Sequence, residues 1–113
     1  MGTFTRGDVV TVPFPYSGAP GEKLRPALVL CTWSIGLMDD CIVCLITSQR
    51  VFNDPNLIPL QPGDVTAGAL LTVSYLRPTY VYSVEMSRVR RKVGELSGPM
   101  TRIALDRLRK VLE

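Results

Sequence analysis

From residue 7 the chain reads GDVVTVPF, an imperfect apolar–polar alternation rich in β-branched side chains, which predicts a first strand over 7–14. Pro, Gly and Ser dominate 15–23, so a loop follows. RPALVLCTW (25–33) and CIVCLITS (41–48) are nearly unbroken apolar runs, the pattern of strands buried on both faces. RVFNDPN is a loop, LIPL a short strand and QPGDVTAG a turn-rich connection. Two further strands are expected at 69–76 and 79–84, the second with the alternating aromatics of TYVYSV. The tail changes period. Ser97 is placed to cap a helix opened by Gly98 and Pro99. Met100, Ile103, Ala104, Leu108, Val111 and Leu112 then recur at three-to-four spacing, with Arg102, Arg109 and Lys110 elsewhere. Five or six short strands and one terminal helix predict an α+β, mostly β chain: a small curled antiparallel sheet or barrel with a C-terminal α-helix.

Length adds that 1–113 is expected to be a single domain, since 113 residues with 46% apolar and 20% charged side chains can bury a core. No apolar run approaches the roughly 18 residues of a membrane span, and no cleavable signal is visible, which predicts a cytoplasmic protein without membrane association. Net charge is only +3, but residues 1–76 carry four Lys/Arg against six Asp/Glu (−2), and residues 77–113 carry nine against four (+5). A basic last third suits an anionic partner or a solvated helix face equally well.

The cysteines narrow the chemistry. Cys31, Cys41 and Cys44 are an odd set, so disulfides are not expected. Cys41 and Cys44 have C-x-x-C spacing, but three residues along a strand they point to opposite faces. A closed zinc site needs about four ligands, and the chain has no second cysteine pair and no histidine. They read as packing, and neither metal nor cofactor is expected. The lack of histidine also excludes imidazole acid–base catalysis, and no phosphate-binding GxxxxGK[ST] or nucleophile GxSxG motif occurs.

What remains are polar residues at strand ends. Arg25 precedes Pro26, which favours extended backbone and gives the guanidinium a rigid base. Thr47 and Ser48 end the apolar run of 41–46. Each has a plain alternative: Arg25 could pair with Glu22 or Asp8, and the hydroxyls could bond the local backbone. Together, a planar bidentate donor and one or two hydroxyls could clamp a phosphate and stabilise a charged phosphorus transition state. RNA needs little more, because its 2′-hydroxyl is a built-in nucleophile.

At this point the residues resemble a family. RGDVVTVPFPYSGAPGEKLRPALVL is similar to the opening of MazF/PemK-type toxins of bacterial toxin–antitoxin pairs, with their R-P-hydrophobic motif. LITSQ resembles their second motif, and AGALLTVSYLRPTYVYSVEMSRVRRKVGELS their third region, closing with K-x-G-x-L before a terminal helix. The resemblance extends from Arg6 over nearly the whole chain. It implies a homodimer of SH3-like barrels that cuts single-stranded RNA at specific sequences without metal, leaving a 2′,3′-cyclic phosphate and a 5′-hydroxyl. It implies Arg25, Thr47 and Arg77 as catalytic residues, with Ser48, Glu22 and Lys23 as RNA contacts. Gln49, Phe52, Ser74 and Thr79 join those contacts. Thr79 stands where some members place an aspartate proton acceptor, so the base is left open, with Glu22 as a weak substitute. Phe52 could stack on a base or pack beneath its own loop.

The partners implied are single-stranded RNA and a cognate antitoxin with an acidic flexible segment that folds on binding. Two other readings share the barrel. CcdB-type gyrase inhibitors carry a terminal Trp-Gly-Ile, whereas this chain ends KVLE and its one tryptophan is Trp33. A catalytically silent RNA-binding barrel is the other.

Overall fold

A computed structural model describes residues 4–15, 22–49, 53–70 and 73–113. Among these, β1 (Asp8–Pro15), β2 (Glu22–Ile35), β3 (Met38–Thr47), β4 (Ile58–Leu60), β5 (Val65–Thr66), β6 (Ser74–Glu85) and β7 (Arg91–Leu96) form one antiparallel sheet in the order β4-β6-β3-β2-β1-β7-β5. A 3₁₀ turn (Met86–Arg88) leads from β6 towards β7, and α1 (Gly98–Leu112) ends the chain. The sheet curls into a nearly closed barrel, so the mostly β architecture with a C-terminal helix is as the sequence predicts. No helix among the described residues is long and apolar enough to cross a membrane.

The central strands are buried on both faces, as their unbroken apolar runs require. Leu28, Leu30, Cys44, Ile46 and Leu76 join Val9, Leu96 and Ala104 in one core cluster, against which Met100, Leu105 and Leu108 of α1 pack. Val10, Val12, Phe14, Ala27, Val29, Cys41 and Val43 form a second cluster on the other face, with Leu45, Tyr80 and Tyr82 against it. Cys41 and Cys44 therefore do face opposite ways. Truncating a fully buried side chain such as Leu28 would cost about 2–5 kcal/mol.

Four elements depart from the pattern-based expectation, each for a local reason. The β2–β3 hairpin is longer than predicted: Met38 to Asp40 extend it, and it turns through Gly36, whose φ of 62° belongs to the left-handed region that primed turns need. Instead of strands at 69–76 and 79–84 there is one, β6. Its register jumps from Cys44↔Val81 to Leu45↔Arg77, and the bulge absorbs Pro78, whose missing N–H breaks no ladder there. The turn-rich connection holds the two-residue β5. β7 escaped the pattern because Arg91, Lys92 and Gly94 mask its alternation, yet it covers the edge of β1. Gly94 lets β5 approach closely there: a Cβ would lie 2.7 Å from Val65 Cγ1 and 3.3 Å from the Thr66 carbonyl oxygen.

The helix begins as expected, with Ser97 Oγ accepting the Met100 N–H at 3.3 Å. Its buried face differs. Met100, Thr101, Ala104, Leu105 and Leu108 turn inward, while Ile103, Val111 and Leu112 are exposed. At 100° per residue Ile103 falls outside the arc of Met100 to Leu105, and the last turn runs on into solvent.

Candidate functional site

Strand alternation decides which polar side chains meet. On β2, Lys23 and Arg25 share the face of Ala27 and Val29; on β3, Thr47 shares the face of Val43 and Leu45. Ala27 pairs with Leu45, so two residues further Arg25 and Thr47 stand at the same end of adjacent strands. Across β3 the partners are Arg77 opposite Leu45 and Tyr75 opposite Thr47, again on that face. β2 and β6 thus flank β3, and their two arginines bracket Thr47 from about 10 Å apart across the sheet. Arg25, Thr47, Tyr75 and Arg77 are all partly exposed, so the surface is open to a ligand but backed by the second apolar cluster.

The hydroxyl of Thr47 is engaged locally. Its Oγ1 accepts the Gln49 backbone N–H at 3.1 Å, and its own proton faces the Gln49 carbonyl oxygen at 3.5 Å, the limit of a hydrogen bond. The acceptor side is satisfied while the donor is held loosely. Arg77 has its guanidinium carbon 5.7 Å from the centre of the Tyr80 ring and its Nε 3.5 Å from Asp54 Oδ2. Tyr80 is braced edge-on by Phe14 at 5.4 Å. Phe14 in turn meets Tyr82 at 4.7 Å, and the Tyr82 hydroxyl donates to the Pro13 carbonyl at 2.6 Å. Aromatic packing therefore sets the platform under Arg77.

The other sequence candidates divide. Lys23, Ser48 and Gln49 are exposed at the same end of the sheet. Thr79 is exposed on the bulged stretch of β6. Ser74 does not join them: it lies on the Leu76 face, opposite Leu60, and is only 5% exposed. It thus stands on the face opposite to that of Arg25, Thr47 and Arg77. Glu22 is placed by backbone register alone, opposite Pro15. Phe52 lies outside the described residues. Of the partners open to Arg25 on sequence, Asp8 is occupied otherwise: it accepts the Thr5 N–H at 3.0 Å and pairs with Lys92 at 3.2 Å. Three residues of this surface were missed. Tyr75 could have been found from its i, i+2 spacing to Arg77, whereas Tyr80 reaches this face only through the bulge, and Asp54 is distant in sequence and carries no local signal.

The thiols are not part of the site. Burial pushes Cys44 up to about 12, offset in part by a backbone hydrogen bond at Arg77. Burial, with smaller contributions from Asp40 and Cys31, pushes Cys41 up to about 11. Among the described residues no three His, Cys, Asp or Glu side chains gather so as to hold a metal ion.

Comparison with known proteins decides the family. The pattern of the PemK-like, MazF-like toxin of type II toxin–antitoxin systems matches residues 5–112. The chain belongs to this toxin family. Among solved structures it resembles an endoribonuclease in complex with its cognate antitoxin from a Mycobacterial species, at 16% identity and TM-score 0.71, covering 97% of this chain and 95% of that one. A second endoribonuclease from a Mycobacterial species aligns at 14% identity and TM-score 0.68, covering 99% and 93%. At such identities the toxin shares their fold. No curated protein sequence matches.

Proposed function

We propose that this toxin is a sequence-specific endoribonuclease that cuts single-stranded RNA without a metal. The substrate's 2′-hydroxyl attacks the adjacent phosphorus as the P–O5′ bond breaks; its proton passes to solvent water and the departing 5′-oxygen takes one up from water, leaving a 2′,3′-cyclic phosphate and a 5′-hydroxyl. The observation that carries the reading is the bracketing of Thr47 by Arg25 and Arg77 on one sheet face. Family membership and the names of both structural neighbours support it.

In this mechanism Arg25 binds the scissile phosphate through its planar fork and offsets the charge that grows on phosphorus. Thr47 turns its loosely held proton to a non-bridging oxygen, and each such donor contributes about 3–4 kcal/mol to the transition state. Arg77 neutralises the departing 5′-oxygen electrostatically, because a guanidinium does not give up its proton in proteins. Lys23, Ser48, Gln49 and Thr79 contact flanking nucleotides, joined by Glu22 at the start of β2 and by Phe52. The chain acts in the cytoplasm as a single-domain subunit of a homodimer, and a cognate antitoxin silences it by laying an acidic segment over the same cations.

The test is cleavage of a synthetic RNA in EDTA, alongside the same strand with one 2′-deoxy substitution at the cut nucleotide. The expected result is cutting of the first and none of the second. Continued cutting of the substituted strand overturns the mechanism, and binding of RNA without any turnover would make the chain a silent binder.

A further inference from the structure

Asp54 and Arg77 are separated by 22 intervening residues, and the fold places them together. β4 pairs antiparallel with β6 through Ile58↔Leu76, so the turn preceding β4 lies beside the middle of β6. That turn is built to hold its shape. Asn53 adopts the left-handed conformation (φ 66°), Asp54 Oδ1 accepts the Asn56 N–H at 2.9 Å, and the Leu57 N–H reaches the Asp54 carbonyl at 3.3 Å. Arg107 on α1 fastens it from behind, Nη1 donating to the Asn56 carbonyl at 3.3 Å.

One carboxylate oxygen of Asp54 is thus committed to the turn, and the other faces Arg77. Its side chain is 9% exposed and that of Arg77 33%. Asp54 Oδ2 and Arg77 Nε are both shielded from solvent, lie 3.5 Å apart, and neither completes a hydrogen bond. Buried polar atoms in that condition are rare, and a functional constraint is one reason for them to persist. Here the geometry fixes the guanidinium on two sides, its Nε edge against the carboxylate and its carbon 5.7 Å from the Tyr80 ring centre. The two terminal amino groups remain for an incoming anion.

We propose that Asp54 is the positioning residue for Arg77: a buried carboxylate that aims the terminal amino groups of the guanidinium at the phosphodiester beside Thr47. The role rests on the RNA-cleaving function proposed above. Asp54 is not itself a proton acceptor in this scheme, since one oxygen is held by the turn and the other is turned to Arg77.

The experiment is a double-mutant cycle on RNA cleavage, with kcat and KM measured for the parent, Asp54→Asn, Arg77→Ala and the double variant. Asp54→Asn keeps the shape and the Asn56 contact while removing the charge. It is expected to lower kcat about 10- to 100-fold with KM near that of the parent. In the Arg77→Ala background the same change should alter kcat less than about twofold. An equal loss in both backgrounds, or none in either, overturns the positioning role while leaving the cleavage reading intact. A parent that cuts no RNA overturns the reading and the role with it. Should Asp54→Asn not fold, hydrogen exchange at Arg77 Nε in the RNA-free parent decides: exchange slower than at the exposed Arg102 supports the pairing, and equal exchange overturns it.

Discussion

The Thr47 hydroxyl oxygen accepts the Gln49 backbone N–H at 3.1 Å. This bond aims the hydroxyl as well as capping the strand. Removing it separates the two effects. Thr47→Val should slow RNA cleavage by about 10²–10³-fold, the usual cost of one transition-state donor. Its stability should fall by only about 0.5–1 kcal/mol, because the Gln49 amide is exposed to water. Thr47→Ser should keep most activity. Single-turnover cleavage and urea titration of the three proteins check this, and a Thr47→Val variant as fast as the parent excludes the hydroxyl from the chemistry.

Arg25→Ala should lose several orders of magnitude in cleavage rate while its circular dichroism and melting stay close to those of the parent. Arg25→Lys should recover little, because an ammonium keeps the charge but not the bidentate fork. Full recovery by lysine would show that charge alone is needed.

The glycine of the K-x-G-x-L motif makes a purely structural prediction. Gly94→Ala drives a methyl group to within 2.7 Å of Val65 Cγ1. Displacing β5 from β7 should cost about 1–3 kcal/mol, visible as a lower urea midpoint. The added Val65→Ala change should return part of that loss, since it removes the opposing atom.

Burial keeps Cys41 and Cys44 protonated to about 11 and about 12 in the folded chain, against 9.0 for an ordinary thiol. Protons therefore leave the unfolded chain first as pH rises above about 9, so these groups erode stability between there and about 12. At pH 8 a thiolate-directed reagent should label the half-buried Cys31 first and reach the other two only on unfolding. Rapid labelling of Cys44 in the native protein would contradict its burial.

Much of this molecule was legible from periodicity, and the exceptions share a cause. The segments 25–33 and 41–48 are nearly unbroken apolar runs, so their burial on both faces could be read directly, as could Thr47 at the end of β3; β2 starts three residues earlier than expected, at Glu22, so Arg25 stands inside the strand. β7 could not, because its charged side chains tie down neighbours: Lys92 reaches Asp8 at 3.2 Å and Glu95 at 2.6 Å. Ser74 shares the buried Leu76 face by simple alternation, two residues before it and ahead of the bulge at Pro78. Asp54 meets Arg77 only through the register of β4 on β6. Contacts of that kind are set by tertiary pairing, which a local pattern does not encode.

The pairing of β1 with β7 joins Asp8 to Glu95, near opposite ends of the chain. A ribosome making this protein would expose β1 early and leave its outer edge bare until residues 91–96 emerge. Completion of the barrel thus waits for residues 91–96, and any product lacking them would present the bare edge of β1, open to edge-to-edge sticking.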